Sequence, residues 1–383
     1  MIFLVGNTTN NYTICFPIFI ILDNRTLHFP YSMLLFFEII LTFISFYFVL
    51  KCVYVASRIR SFHRNLTAIL IIWALQWFEG VASNIIIKPY EIGYWPVGEY
   101  TDPIKQWWTD DYSKMTRVTD MTESPYFFFG GFIKWHYILS LITTLLTVSI
   151  ERSFACYFLN DYEKKSRNHL FFMLIFGQFC TNSVAAVLFF FNAAHFVVGL
   201  TYILSANIIA MGVTFESPEP SSCNSFQIFT YVKKVNNEAI HAIEDFSNPS
   251  HYCLPARFQA RENARCFQMI SRVINAALVL IFSACFVNLI MYMEWTPRLD
   301  PLLNLIFEVA INLNPIFICP TLLGSVDAWR KFSISDGFCK NLKKRMRRRL
   351  NKISSTSDET FSSKNDRKQE TDAYFDQLNN AWI

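Results

Sequence analysis

Seven stretches of the chain stay apolar for about the 20 residues that a helix needs to cross a bilayer. They are 31–55, 66–87, 126–149, 169–191, 193–213, 272–293 and 302–323. The fourth and fifth form one apolar stretch of more than 40 residues, too long for one span, and a tight turn near Asn192 would divide it. A shorter run, ICFPIFIIL at 14–22, contains Pro17 and is too short to cross; it predicts a surface or interfacial segment.

Polar residues inside the spans recur at helical spacing. Span three carries His136, Ser140, Thr143, Thr147 and then Glu151, in steps of three or four. Gln76, Glu79 and Ser83 line span two; Glu38, Thr42 and Ser45 line span one; Asn304, Glu308 and Asn312 line span seven. Such a stripe must face other helices rather than lipid. The expected fold is therefore an all-α membrane protein, a seven-transmembrane helix bundle with a polar interior.

Composition agrees with this. The 383 residues are 52% hydrophobic and 17% charged, against about 25% charged in a soluble domain. Placement of the charges then sets direction. With the N-terminus outside, 27 of the 34 Lys and Arg fall in cytoplasmic segments and six in external ones, Lys134 lying within a span. That asymmetry predicts an external N-terminus and a cytoplasmic C-terminus. Three sequons in the first 30 residues, at Asn7, Asn11 and Asn24, fit the same side, because glycosylation is lumenal. Asn65, in a fourth sequon, would lie at the cytoplasmic start of span two and stay unmodified. The expected parts are an extracellular segment 1–30, a membrane domain 31–323 and a cytoplasmic tail 324–383. The tail opens with a basic cluster, Lys343 to Arg349, suited either to anionic lipid or simply to fixing topology. Cys339 stands where palmitoylation is possible. Residues 354–383 are polar and predict disorder.

Four ionisable groups lie well inside the spans: Glu38, Glu79, Lys134 and Glu308. At a rise of about 1.5 Å per residue, all four fall roughly 20–25 Å from the cytoplasmic ends. A lone charge at that depth is costly, so Lys134 is expected to pair with Glu79 or Glu308. The layer forms either the floor of an outward-facing ligand pocket, with Trp77, Trp135 and His136 near it, or a structural polar clamp. At the other end of span three, Glu151-Arg152 is either a signalling switch or a pair of solvated helix-end charges. Asn314-Pro315 predicts a kink in span seven, and Pro320 a second break.

Other classes find little support. The ten Cys show no CxxC, the seven His are scattered, and no nucleophile elbow, phosphate loop or zinc-protease motif occurs. No catalytic site, metal, cofactor or nucleic-acid partner is expected. A transporter would show repeated halves. An ion channel or a transporter-like polytopic protein stays open as the alternative, since three buried acids can line a cation path.

The segment ERSFACYFLNDYEKKSR at 151–167 resembles the one that follows span three in the nematode serpentine receptors of class epsilon. The matching positions are Glu151, Arg152, Phe154, Ala155, Tyr157, Phe158, Asp161, Tyr162, Glu163 and Arg167. ARFQARENAR at 256–265, and NPIFICP followed by AWR, are similar to that family too. The resemblance implies a chemosensory G-protein-coupled receptor in the plasma membrane of sensory neurons. It would take an unknown small-molecule or peptide ligand from outside and activate a heterotrimeric G protein. Glu151 and Arg152 would hold the inactive-state lock, with Asp161, Tyr162 and Glu163 beside it and Asn314-Pro315 as the hinge. The chain departs from rhodopsin-like receptors in having no Cys at the start of span three. The stretch VTFESPEPSSCNS at 213–225 also looks foreign to a span-five end.

Overall fold

The computed structural model describes residues 2–7, 10–17, 20–21, 31–59, 61–97, 104–105, 115–158, 168–193, 201, 205, 254–292, 295 and 299–334. Its helices are α1 (Tyr31–Arg58), α2 (Arg64–Glu91), α3 (Pro125–Tyr157), α4 (Asn168–Phe190), α5 (Leu254–Tyr292), α6 (Asp300–Asn312), α7 (Pro315–Ser325) and α8 (Asp327–Ile334). Among the described residues, four helices, α1 to α4, are long and apolar enough to cross a membrane. The sixth apolar stretch lies within α5, and the seventh is divided between α6 and α7. The fifth, at 193–213, lies outside the described residues apart from isolated positions, as does the stretch 213–225.

Helix ends follow local chemistry. Pro125 starts α3 at its first turn, where a missing N–H costs nothing. The end of α2 is a Schellman turn. Tyr94 N–H donates to Pro89 O (2.9 Å) and Gly93 N–H to Tyr90 O (3.0 Å), with Gly93 at φ 72°. The end of α4 repeats this with Asn192 at φ 51°: Ala193 N–H reaches Leu188 O at 2.9 Å. Asn tolerates that left-handed conformation better than most side chains.

The seventh apolar stretch breaks into two helices where Pro315 has no N–H to offer the carbonyl of Ile311. The Asn314 side-chain amide donates to that carbonyl instead, at 2.7 Å, and also reaches Tyr137 Oη at 3.2 Å. Pro320, expected to break the chain again, does not: α7 runs through it to Ser325. One lost hydrogen bond is tolerated there because α7 is packed against both α1 and α5.

The most buried of the spanning helices is α3, with 56% of its most apolar window inside the protein against 17% for α4. It packs on α2, α4 and α5. Its polar stripe meets polar partners on α4. Asn182 Nδ2 donates to Thr143 Oγ1 (2.9 Å) and Ser140 Oγ (3.1 Å), and Thr147 Oγ1 donates to Gln178 Oε1 (2.9 Å). Large apolar side chains on α1 and α4, such as Phe43, Phe172 and Phe176, stay exposed, as lipid-facing surfaces do.

The all-α expectation needs correcting at one end. The N-terminus folds as β1 (Ile2–Asn7) and β2 (Asn10–Cys15), an antiparallel pair. β1 also pairs in parallel with a later strand of the α2–α3 connection, Thr116–Val118. Ile20–Ile21 pairs antiparallel with Ile104–Lys105. These become β3 (Ile20–Ile21), β4 (Ile104–Lys105) and β5 (Thr116–Val118) in chain order. The run expected to be interfacial thus contributes strand residues and a core aromatic, Phe16. Ile14, Phe16 and Ile21 pack into a core with Ile87 and Tyr90 of α2 and Phe127 and Phe128 of α3.

Candidate functional site

At the end of the bundle away from the sheet, Glu151 and Arg152 are both fully buried. Neither is a solvated helix-end charge. The Glu151 carboxylate takes a two-pronged grip on the guanidinium: Arg152 Nε donates to Oε2 at 2.5 Å and Nη2 to Oε1 at 2.7 Å. The remaining prong, Nη1, donates to Asn263 Oδ1 on α5 at 3.0 Å. Glu151 thus neutralises the arginine within α3, while Asn263 ties it to another helix.

The next residue on α5 makes a second tie. The Glu262 carboxylate accepts the backbone N–H of His63, in the α1–α2 turn, at 2.5 Å. Burial pushes the Glu262 carboxyl above its ordinary range, with Arg152 opposing, and burial pulls the His63 imidazole below its own. The same turn receives α8. Trp329 is fully buried, its indole N–H donates to Ile59 O at 3.1 Å, and its ring meets Phe62 edge-on at 5.5 Å. Sequence reasoning missed Glu262, Asn263 and Trp329. The signal for the first two was present: they are the non-basic positions between Arg261 and Arg265, whose side chains point outward. Asp161, Tyr162 and Glu163 lie outside the described residues, as do the basic cluster at 343–349 and Cys339.

Nearer the sheet, the four ionisable groups of the spans resolve into separate pairs, Lys134 and Glu308 buried, Glu38 and Glu79 only partly so. Lys134 Nζ sits 2.8 and 3.0 Å from the two Glu308 oxygens, with both side chains almost wholly buried. Asn312 Nδ2 donates to the same carboxylate, and Trp77 donates from its indole N–H to Asn312 O at 2.6 Å. Glu79 lies 2.5 Å from His136 Nδ1. Glu38 lies 2.7 Å from Lys88, which also meets Glu91 at 3.2 Å. Lys88 was legible only as a loop charge, because it sits at the rim of an apolar stretch; its long stem carries the ammonium back to Glu38.

Trp135 does not join this layer. One residue on from Lys134, it points about 100° around the helix. Its indole N–H donates to Cys15 O on β2 at 2.8 Å, and its ring stacks on Phe189 of α4 at 5.4 Å. Below the layer, a cavity of about 20 Å³ is lined by Trp73, Trp77, Cys52, Cys319, Asn314 and Pro315. It offers room for about one water and none for a larger guest.

The three sequons differ in setting. Asn7 ends β1 and Asn11 is exposed on β2, while Asn24 lies outside the described residues. Asn65 is buried at the start of α2.

Comparison with known proteins defines the class of molecule in which these clusters sit. The family model of the Sre G protein-coupled chemoreceptors matches residues 1–383. Serpentine receptor class epsilon-45 of Caenorhabditis elegans is 65% identical, over 100% of both chains. Serpentine receptor class epsilon-38 of the same nematode is 29% identical, over 98% of this chain and 99% of its own. Serpentine receptor class epsilon-32 is 27% identical over 91% and 92%. No solved structure matches the chain. A multi-pass membrane receptor is the class that the apolar helices and these matches define. The chain belongs to the Sre family of chemoreceptors, a receptor family rather than an enzyme family.

Proposed function

We propose that this chain is a seven-span receptor with its N-terminus outside. It detects an external ligand at the plasma membrane of a sensory neuron and activates a heterotrimeric G protein. Residues 1–30 are extracellular, glycosylated at Asn7, Asn11 and Asn24; residues 31–323 cross the membrane; residues 324–383 form the cytoplasmic tail. One observation carries the reading: Arg152 is fully buried, clasped by Glu151 and hydrogen-bonded at 3.0 Å to Asn263 on α5. A buried arginine that bonds across two helices is a latch, because parting the helices must leave its guanidinium with a free prong.

In this mechanism the resting receptor holds α5 against α3 through Arg152–Asn263. Ligand capture near the Lys134–Glu308 layer, together with Glu38, Glu79, His136 and Trp77, moves α6 against α7 about Asn314-Pro315. That movement draws α5 away from α3 and presents Arg152, followed by the loop with Asp161, Tyr162 and Glu163, to the G protein. Trp135 serves the contact with the N-terminal sheet rather than the ligand.

The test is nucleotide exchange on a G protein in cells expressing variants at equal surface level. Arg152→Ala abolishes coupling, and Asn263→Ala raises ligand-independent exchange. Full coupling in the first variant, or a current carried by the chain alone, overturns the reading.

A further inference from the structure

Among the described residues, aromatic side chains of the N-terminal segment and of α3 lie over the end of the bundle read as outward-facing. Phe16, 1% exposed, stacks face to face on Phe127 of α3, with centroids 4.1 Å apart and planes 4° apart. The edges of Phe3 and Phe128 close its other sides, at 5.8 and 6.2 Å. The floor is Gly131. A Cβ on that residue would stand 2.1 Å from Phe16 Cζ and 2.2 Å from Cε2. The adjacent Gly130 has a different task, since a Cβ there would meet Ile87 of α2 at 2.8 Å. Gly131 is therefore bare for the sake of a ring.

Two further bonds fasten the sheet beside this seat. Trp135 donates to Cys15 O at 2.8 Å, and Asn192, at the end of α4, donates to Thr13 Oγ1 at 3.1 Å. On the α3 helix Lys134 follows Gly131 by three residues, one turn deeper. The aromatic layer thus stands between the sheet and the Lys134–Glu308 pair.

We propose that the notch formed by Gly131, Phe127, Phe3 and Phe128 is a ring-binding site that the chain's own Phe16 fills in the closed state. The N-terminal sheet is then a lid, and a small planar aromatic molecule is the class of ligand that competes for the seat. This deepens the reading above and rests on the sheet end facing outward. Seat and occupant have matched geometry: one flat face stacked, two edges against the rim, and a glycine beneath. A substituted benzene or indole ring offers the same faces. Once it replaces Phe16, the sheet keeps two hydrogen bonds and loses one of its two buried phenylalanine anchors, Phe3 remaining.

Cys15, next to Phe16, reports on the seat in the full-length chain. The thiol is half-buried, and that burial pushes it above the ordinary value, which slows thiolate chemistry while the lid is shut. It is also the only cysteine in the segments assigned to the outside. The measurement is the rate at which a membrane-impermeant maleimide labels Cys15 in intact cells and again in permeabilised membranes. Phe16→Ala, which empties the seat, and Gly131→Ala, which blocks it, each raise the rate at least about tenfold, equivalent to roughly 1.4 kcal/mol of lost closure. Toluene slows labelling of Phe16→Ala by refilling the notch and leaves Gly131→Ala unchanged. Gly177→Ala, at a site where a Cβ meets nothing within 4 Å, is the folding control and labels like the wild type. Wild-type rates in both seat variants overturn the lid; toluene acting equally on both overturns the ring site. Labelling that requires permeabilisation overturns the orientation instead, and the comparison between variants still decides the seat.

Discussion

Removing the Lys134 charge tests how the bundle tolerates ions at its centre. Lys134 and Glu308 are 2.8 Å apart, and their side chains are 2% and 4% exposed. Lys134→Met keeps the stem and deletes the ammonium, leaving the Glu308 carboxylate, among the described residues, with Asn312 as its hydrogen-bond partner. Breaking a buried pair from one side costs about 3–5 kcal/mol, or roughly 10²- to 10³·⁵-fold in the folded-to-unfolded ratio. A neutral interhelical hydrogen bond within a membrane averages only about 0.6 kcal/mol. The two magnitudes separate an ion pair from a mere polar contact. The assay is thermal unfolding of purified receptor in detergent for Lys134→Met, Glu308→Leu, the double variant and the charge-swapped Lys134→Glu/Glu308→Lys. The double variant recovers most of the loss, because no uncompensated charge remains, and the swap restores surface expression. Single losses below about 1 kcal/mol that simply add in the double variant refute the pairing.

Two further predictions come from other parts of the bundle. Glu262 has a folded pKa above its unfolded one, so its contribution to stability is present below the ordinary glutamate range and lost as pH rises through the raised value. Glu262→Gln keeps an acceptor for the His63 N–H without ionising; its stability relative to wild type grows with pH, and a difference flat from pH 5 to pH 8 would falsify this. His63, with its pKa lowered, titrates in the opposite sense and is common to both proteins. Gly80→Ala places a Cβ 2.6 Å from the Tyr137 ring, and overpacking of this kind costs about 1–3 kcal/mol. It also strains the Tyr137–Asn314 bond at the α6–α7 break, so ligand-dependent signalling falls together with melting temperature. A wild-type melting curve for Gly80→Ala refutes the close fit.

Much of the helical frame was legible in the sequence. Hydrophobic blocks of about 20 residues lie within α1 to α4 to within a few residues, because in hydrocarbon every backbone group must be paired inside its own helix. The two small sheets were not legible. Their strands are two to six residues long, and β1 pairs with β5 across more than 100 positions of chain. No periodicity in so short a run distinguishes a strand from an interfacial segment. In the Asn314-Pro315 break, the missing N–H was legible, while the side-chain amide that replaces it was not.

The candidate site divides the same way. Counting residues along helices, at a constant rise per residue, predicts one depth for Glu38, Glu79, Lys134 and Glu308. Which acid meets which base depended on how the helices are arranged around α3. Lys134 faces α6, and His136, two residues on and about 200° around the helix, meets Glu79 of α2. Likewise helical spacing alone put Glu151 on the polar stripe of span three. The burial of Arg152 beside it, and the bond from Arg152 Nη1 to Asn263, came from the packing of α5 on α3. Hydropathy and helical period are properties of one segment, whereas a hydrogen bond between helices depends on the position of both.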